Sequence, residues 1–156
     1  MALELSTAGV LLKYCASASG STRPTSGYTT VPNIKSIPDF NPEPESLEVT
    51  DLSDTVWRRY IPGLKDPGGA LAFTANLTTS FKTAWGNLVT ATNTATAAGK
   101  SMWFEIYVPN FGSFFFAGIP SDLGMTAMDV NSVLEIEAYI TPNLIHGWDT
   151  SSTASA

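Results

Sequence analysis

Apolar and polar residues alternate most strictly over residues 70 to 77, ALAFTANL, where Leu71, Phe73 and Leu77 fall on one face and Ala70, Ala72, Thr74 and Asn76 on the other. A period of two with one apolar face predicts a half-buried antiparallel strand. A turn built from Pro62, Gly63, Asp66, Pro67, Gly68 and Gly69 feeds it. Directly afterwards the period changes. Phe81, Trp85, Leu88 and Val89 fall at i, i+4, i+7 and i+8, the packing stripe of a helix, with Thr78, Thr79 and Ser80 as possible N-caps and an Asn/Thr/Ala run up to Gly99 that releases the chain.

Around this pair the pattern is mostly strands. Val10, Leu12 and Tyr14 alternate with Leu11, Lys13 and Cys15, predicting a first strand near residues 8 to 16. Residues 16 to 30 are rich in Ser, Thr and Gly and read as a long surface loop. A short strand over 31 to 37 precedes residues 38 to 46, whose prolines and acids rule out a central strand. Leu47 and Val49, alternating with Glu48 and Thr50, mark another strand. Residues 51 to 69 are too polar and turn-rich for a core element and too aromatic for a solvated linker, so they read as an arm. Three more strands begin at Ser101, Ser113 and Ser132, the first two joined as a hairpin by the turn at Pro109, Asn110 and Gly112. The sum, about seven strands and one helix with no βαβ rhythm, is a mainly β fold: an antiparallel β-sandwich or barrel with one packed α-helix and long loops. We expect a single domain over 1 to 146 and a flexible tail over 147 to 156, apart from Trp148.

Composition narrows the function more than the fold. At 156 residues and 44 % hydrophobic, the chain suits one core. Only 14 % of residues are charged, against roughly 25 % in an ordinary soluble domain. Either Ser, Thr and Asn solvate the loops, or surface is buried against partners. The 14 acids and 8 bases leave a net charge of −6, which argues against gripping nucleic acid through its phosphates. An acidic wall suits a role in which DNA passes without sticking. The single cysteine, Cys15, excludes an internal disulfide and any Cys-rich metal site and reads as a small apolar residue. The apolar run from Gly9 to Leu12 is too short for a secretory signal and is stopped by Lys13, and no stretch is long enough to span a membrane, so a soluble protein made in a cytoplasm is expected.

Catalytic patterns are scarce. With a single histidine, His146, the chain can build no two-His metal site, and no His-based relay without that residue. No G-x-S-x-G elbow, P-loop or G-x-G-x-x-G occurs, and Asn76-Leu77-Thr78 matches a glycosylation acceptor without a secretory context. Glu135 and Glu137 share a strand face about 6–7 Å apart, between the carboxylate spacings of retaining and inverting glycosidases. Tyr139 shares that face, and Glu105 extends it if its strand, with Trp103 and Tyr107, lies alongside. A solvated acidic face accounts for this pattern better than a glycosidase. Trp57, Arg58, Arg59 and Tyr60 mix aromatic and basic residues as a base-stacking patch would. In an acidic chain they suit a protein partner better, with Lys65 and Asp66 alongside. No enzymatic activity, no cofactor and no metal are expected.

The order of elements, with the stretch PGLKDPGGALAFTANL at its centre, resembles the tail tube proteins (major tail proteins) of long-tailed bacteriophages across roughly residues 3 to 145. The resemblance implies a β-sandwich flanked by a helix, six copies in a ring, and rings stacked into a tube through which DNA passes without specific binding. It makes Trp57, Arg58, Arg59, Tyr60, Lys65 and Asp66 candidates for an arm reaching neighbouring subunits. It makes Glu48, Glu105, Glu135 and Glu137 candidates for an acidic lumen, and Phe81, Trp85, Leu88 and Val89 the stripe that packs the helix on the sandwich. The implied partners are the chain itself, the tape measure protein, the tail terminator and baseplate proteins. The implied location is the virion tail, assembled in the host bacterial cytoplasm, with no membrane. Other readings stay open: a ring-forming tail terminator or baseplate hub, a β-sandwich binding module or adhesin using Trp57 and Tyr60, and a hydrolase using Glu135 and Glu137.

Overall fold

The computed structural model describes residue 4, residues 6 to 66 and residues 68 to 153. Leu3, at the start of the tail tube resemblance, Pro67 in the turn before residue 70 and the last three residues of the expected tail lie outside the described residues. The chain divides into two compact units: one formed by the residues up to Pro38 and from Ala70 onward, the other by Asp39–Gly69. Where a single domain was expected, a hairpin thus forms a unit of its own.

The main unit is an antiparallel sheet of seven strands with one helix. In chain order they are β1 (Leu11–Ala16), β2 (Thr29–Val31), β3 (Ile34–Ser36), β6 (Leu71–Asn76), α1 (Thr79–Ala97), β7 (Met102–Val108), β8 (Gly112–Pro120) and β9 (Glu135–Asp149), while β4 (Pro44–Glu48) and β5 (Tyr60–Lys65) belong to the hairpin unit. The spatial order is β2-β1-β7-β8-β9-β6-β3. The two edge strands are consecutive in sequence, separated only by Pro32 and Asn33, the latter at φ 64°. Such a link reaches about 10 Å at most, so the sheet curls until its edges nearly meet. The fold is therefore mainly β, an antiparallel sheet nearly closed into a barrel, with one helix.

One face of this sheet carries the core expected from alternation. Leu71, Phe73 and Ala75 of β6 stand opposite Ile140, Ala138 and Ile136 of β9, and all six are buried. Leu12 of β1 stands opposite Ile106 of β7, and Phe104 of β7 opposite Phe116 of β8, with Leu12, Phe104 and Phe116 fully buried. Leu77, expected on the core face, is only half-buried, because the strand ends at Asn76. The helix packs against β1, β2, β7 and β8. Phe81, Trp85 and Leu88 are buried as expected, with Phe81 and Trp85 rings 5.7 Å apart, while Val89 is half-buried. Among the three possible caps Thr78 is the one used: its Oγ1 accepts from the Phe81 amide at 3.1 Å.

The helix also runs through the Asn/Thr/Ala stretch expected to release it. Thr90, Thr92 and Thr94 each donate their hydroxyl to the carbonyl four residues back, and Thr92 and Ala95 are buried. A threonine that returns its hydroxyl to its own helix, among alanines of high helix propensity, looks polar in sequence yet stays helical. At the β7–β8 hairpin, the expected turn forms with Asn110 at φ 60° and Gly112 at φ 143°. Gly118 is needed for a different reason: a Cβ there would lie 2.7 Å from the Thr141 carbonyl oxygen, so only glycine lets β8 and β9 approach at this point.

Three local expectations change. The strand over 31 to 37 is two strands with a left-handed Asn33 between them. The turn starting at Pro62 begins later, since Pro62 and Gly63 lie within β5. Proline survives in β4 and β5 because the sheet has only two strands and each presents an open edge. Nor are residues 147 to 153 a loose tail: Gly147, Trp148 and Asp149 close β9, and Ser151, Ser152 and Thr153 hydrogen-bond to residues of the main unit.

Candidate functional site

The most unusual surface belongs to the hairpin unit. No described residue between Asp39 and Gly69 is buried, yet Leu47, Val49, Leu52, Val56, Trp57, Tyr60, Ile61 and Leu64 are all large, apolar and exposed. A two-stranded hairpin is marginal on its own in water. The connecting loop between β4 and β5 is nevertheless well tied. Arg59 reaches Asp54 at 2.8 Å and Asp51 at 3.2 Å, the Arg59 amide donates to Thr50 Oγ1 at 2.8 Å, and Val49 N donates to Arg59 O at 2.9 Å. Hydrogen bonds from the Ser53 side chain and amide hold Asp51 below the usual carboxylate range, and those from the Asp51 amide and Arg59 do the same for Asp54. With Arg59 occupied as a clamp, the loop presents Val56 and Trp57, each 80 % exposed, and Arg58, which makes no ion pair among the described residues. The arm candidates Trp57, Arg58, Arg59 and Tyr60 do come together here, but Arg59 holds the loop internally. Lys65 ends β5, and Asp66 follows it, its Oδ1 accepting from the Gly68 amide at 2.9 Å.

A second open surface is the far half of β9. Its pairing with β6 stops at Ile140, while pairing with β8 continues to Asp149. Residues 141 to 149 therefore leave one edge unpaired among the described strands, and Leu144, Ile145 and Trp148 on it are exposed. Pro142 and two register shifts guard part of this edge. At its end Trp148 meets Phe111 and Phe114 edge-on, at 5.0 and 5.5 Å between ring centroids.

The four acidic candidates separate. Glu48 lies in the hairpin unit. Glu105 is fully buried, so the expectation that it lines an open acidic surface is wrong. Ser152 folds over it, donating its amide at 2.9 Å and its hydroxyl at 2.6 Å to the carboxylate. Trp103, Phe115 and Ala117 pack on the same face with Tyr28, and the Arg23 guanidinium stands 4.3 Å over Phe115. Burial is the main cause raising the Tyr28 hydroxyl above its ordinary value, helped by Cys15 and Glu105. Glu135 and Glu137 stay at the surface. Lys35 pairs with Glu135, and Tyr139 donates to Glu137 at 2.8 Å, a bond that raises the Tyr139 hydroxyl. These two carboxylates border a cleft of about 680 Å³ between β6, β9 and the segment after β8, lined also by Asp122, Met125 and Tyr139.

His146 sits 2.7 Å from Asp149, which also takes Arg23 at 2.9 Å. The His146 bond, then the Thr150 amide and the Arg23 charge, hold Asp149 low. This cluster ties the end of β9 to the loop after β1. Among the described residues no group of three or more His, Cys, Asp or Glu is arranged to hold a metal ion, and no helix is long and apolar enough to cross a membrane. Cys15 is a half-buried free thiol, raised by that burial.

A solved chain matches this fold along nearly its whole length. A chain of the baseplate of the anti-feeding prophage, from a six-fold symmetrised structure, superposes with a TM-score of 0.63 at 9 % identity, covering 94 % of this chain and 97 % of that one. The two chains share a fold. No protein-family model matches the sequence, and no curated protein does. The open β9 edge and the buried Glu105 were not found by sequence reasoning. The first depends on where one long strand changes partners, and the second on a segment expected to be loose.

Proposed function

We propose that this protein is a self-assembling structural subunit of a phage-type tail, six copies forming a ring and rings stacking into a tube that conducts DNA. The observation that carries the reading is the shared fold with a baseplate chain from a six-fold symmetrised assembly, along nearly the whole of both chains. The open surfaces support it. An edge such as that of residues 141 to 149 is stabilised when a neighbouring copy pairs with it, and a hairpin rich in exposed Trp, Tyr and Leu is stabilised by burial against a partner. A head-to-tail interface between rings then propagates along the tube. In this reading the net charge of −6 keeps DNA from adhering to the wall. The tape measure protein, the tail terminator and baseplate proteins are its neighbours in a virion tail assembled in the host cytoplasm, and it performs no catalysis.

The same fold match favours a second reading equally: a ring of the baseplate or its hub, which closes without stacking. Negative-stain microscopy of the purified full chain tests both. Long hollow tubes are the expected result; rings without tubes would favour the baseplate component. A strictly monomeric species at high concentration would overturn both.

A further inference from the structure

We infer that the cleft beside β9 is the receptor for Val56, Trp57 and Arg58 of a second copy of this chain. The inference rests on the self-assembly proposed above and names the site by which one copy holds the arm of another. Trp57 is 80 % exposed at the tip of the hairpin unit. The ring of hydrogen bonds and ion pairs from Thr50, Asp51, Asp54 and Arg59 fixes the loop that carries it, so little ordering remains to be done on docking. Tryptophan and arginine are also the side chains that most often dominate interface energies.

The cleft complements this tip in size, polarity and charge. Its volume, about 680 Å³, lies within the roughly 300–1,000 Å³ of sites that enclose a drug-sized group, enough for an indole and a guanidinium. Met125, 89 % exposed, and Tyr139 offer it apolar surface. Asp122, Glu135 and Glu137 surround that surface with three carboxylates, and Lys35 is the cation paired there, on Glu135. Glu137 accepts from the Tyr139 hydroxyl, and neither it nor Asp122 makes an ion pair among the described residues, while Arg58 carries the arm's unpaired guanidinium. An arginine docked here meets a carboxylate in a bidentate pair, with the indole beside it on Met125. This gives Glu137 a place at a subunit contact instead of the lumen expected from the sequence.

Charge reversal tests the pairing on the full chain. Arg58→Glu alone and Glu137→Arg alone should each weaken association, read by sedimentation velocity, at least about tenfold, because like charges then face each other. Both in one chain should restore association to within about threefold of the unaltered protein, as expected for coupled partners. Separately, Trp57→Cys with Met125→Cys, in a Cys15→Ser background, should give disulfide-linked dimers and longer ladders under oxidation. Links formed only within single chains, single variants that associate normally, or a double variant no better than either single would each overturn the cleft assignment while leaving self-assembly intact. Failure of the unaltered protein to associate would overturn the assembly reading itself.

Discussion

Glu105 marks the limit of reading a residue from its neighbours in sequence. On β7 it follows the alternation faithfully, sharing the face of Trp103 and Tyr107, and an acid at that position looks solvated. Its burial comes from residues 151 to 153, a run of Ser and Thr with no apolar anchor, held by hydrogen bonds to Glu105, Ser113 and Thr25. A fully buried carboxylate with no cation paired to it among the described residues depends on those donors. Glu105→Ala should cost about 1–3 kcal/mol, since Ser152 then loses both acceptors. The cost is checked by urea unfolding, and limited proteolysis should cut the freed C-terminal segment faster. Ser152→Ala should follow the same direction with a smaller effect, because its backbone amide still donates. An unchanged proteolysis pattern in Glu105→Ala would show that the segment is held elsewhere.

The helix and the strands before and after it were legible as elements because their buried stripes are large and regular. The Phe81, Trp85 and Leu88 stripe is fully buried, and a period near 3.6 with aromatic anchors points to a packed helix and not to a strand or a loop. The extent of the helix was not legible, since Thr90 to Thr94 carry the composition of a loop and behave as helix only by bonding their own backbone. Trp85→Ala should therefore be severe, about 3–5 kcal/mol by cavity formation, and it also leaves the Ser121 carbonyl without the indole donor that reaches it at 2.8 Å. Thr78→Ala, which removes only the cap, should cost about 1 kcal/mol. Equal costs in chemical denaturation would mean that the helix is held by its end and not by its face. β5 was missed for the opposite reason: with Pro62 and Gly63 inside it, its sequence is that of a turn, and a two-stranded sheet, in which each strand is an edge, tolerates the proline.

At the scale of the whole molecule, the buried core contains no described residue from Asp39–Gly69. Replacing residues 40 to 68 by a short Gly/Ser linker should thus leave a cooperatively folding main unit, seen by circular dichroism and thermal unfolding, that no longer assembles. Loss of the folded unit would show the hairpin to be structural; tubes or rings formed without it would show that assembly uses the β9 edge alone.

By itself the sequence determined the fold class, the core stripes of β6 and the helix, the β7–β8 hairpin and the aromatic, basic character of residues 57 to 60. Each of these is written in local periodicity or in turn residues whose φ angles are dictated by their type. The tertiary structure alone decided that β2 and β3 bring the sheet's edges together, that β9 changes partners at Ile140 and leaves an open edge, that Arg59 clamps while Arg58 makes no ion pair among the described residues, and that Glu105 is sealed by Ser152. The physical reason is common to all four. They depend on contacts between residues separated along the chain, and a carboxylate or a strand edge carries no local mark of what will cover it.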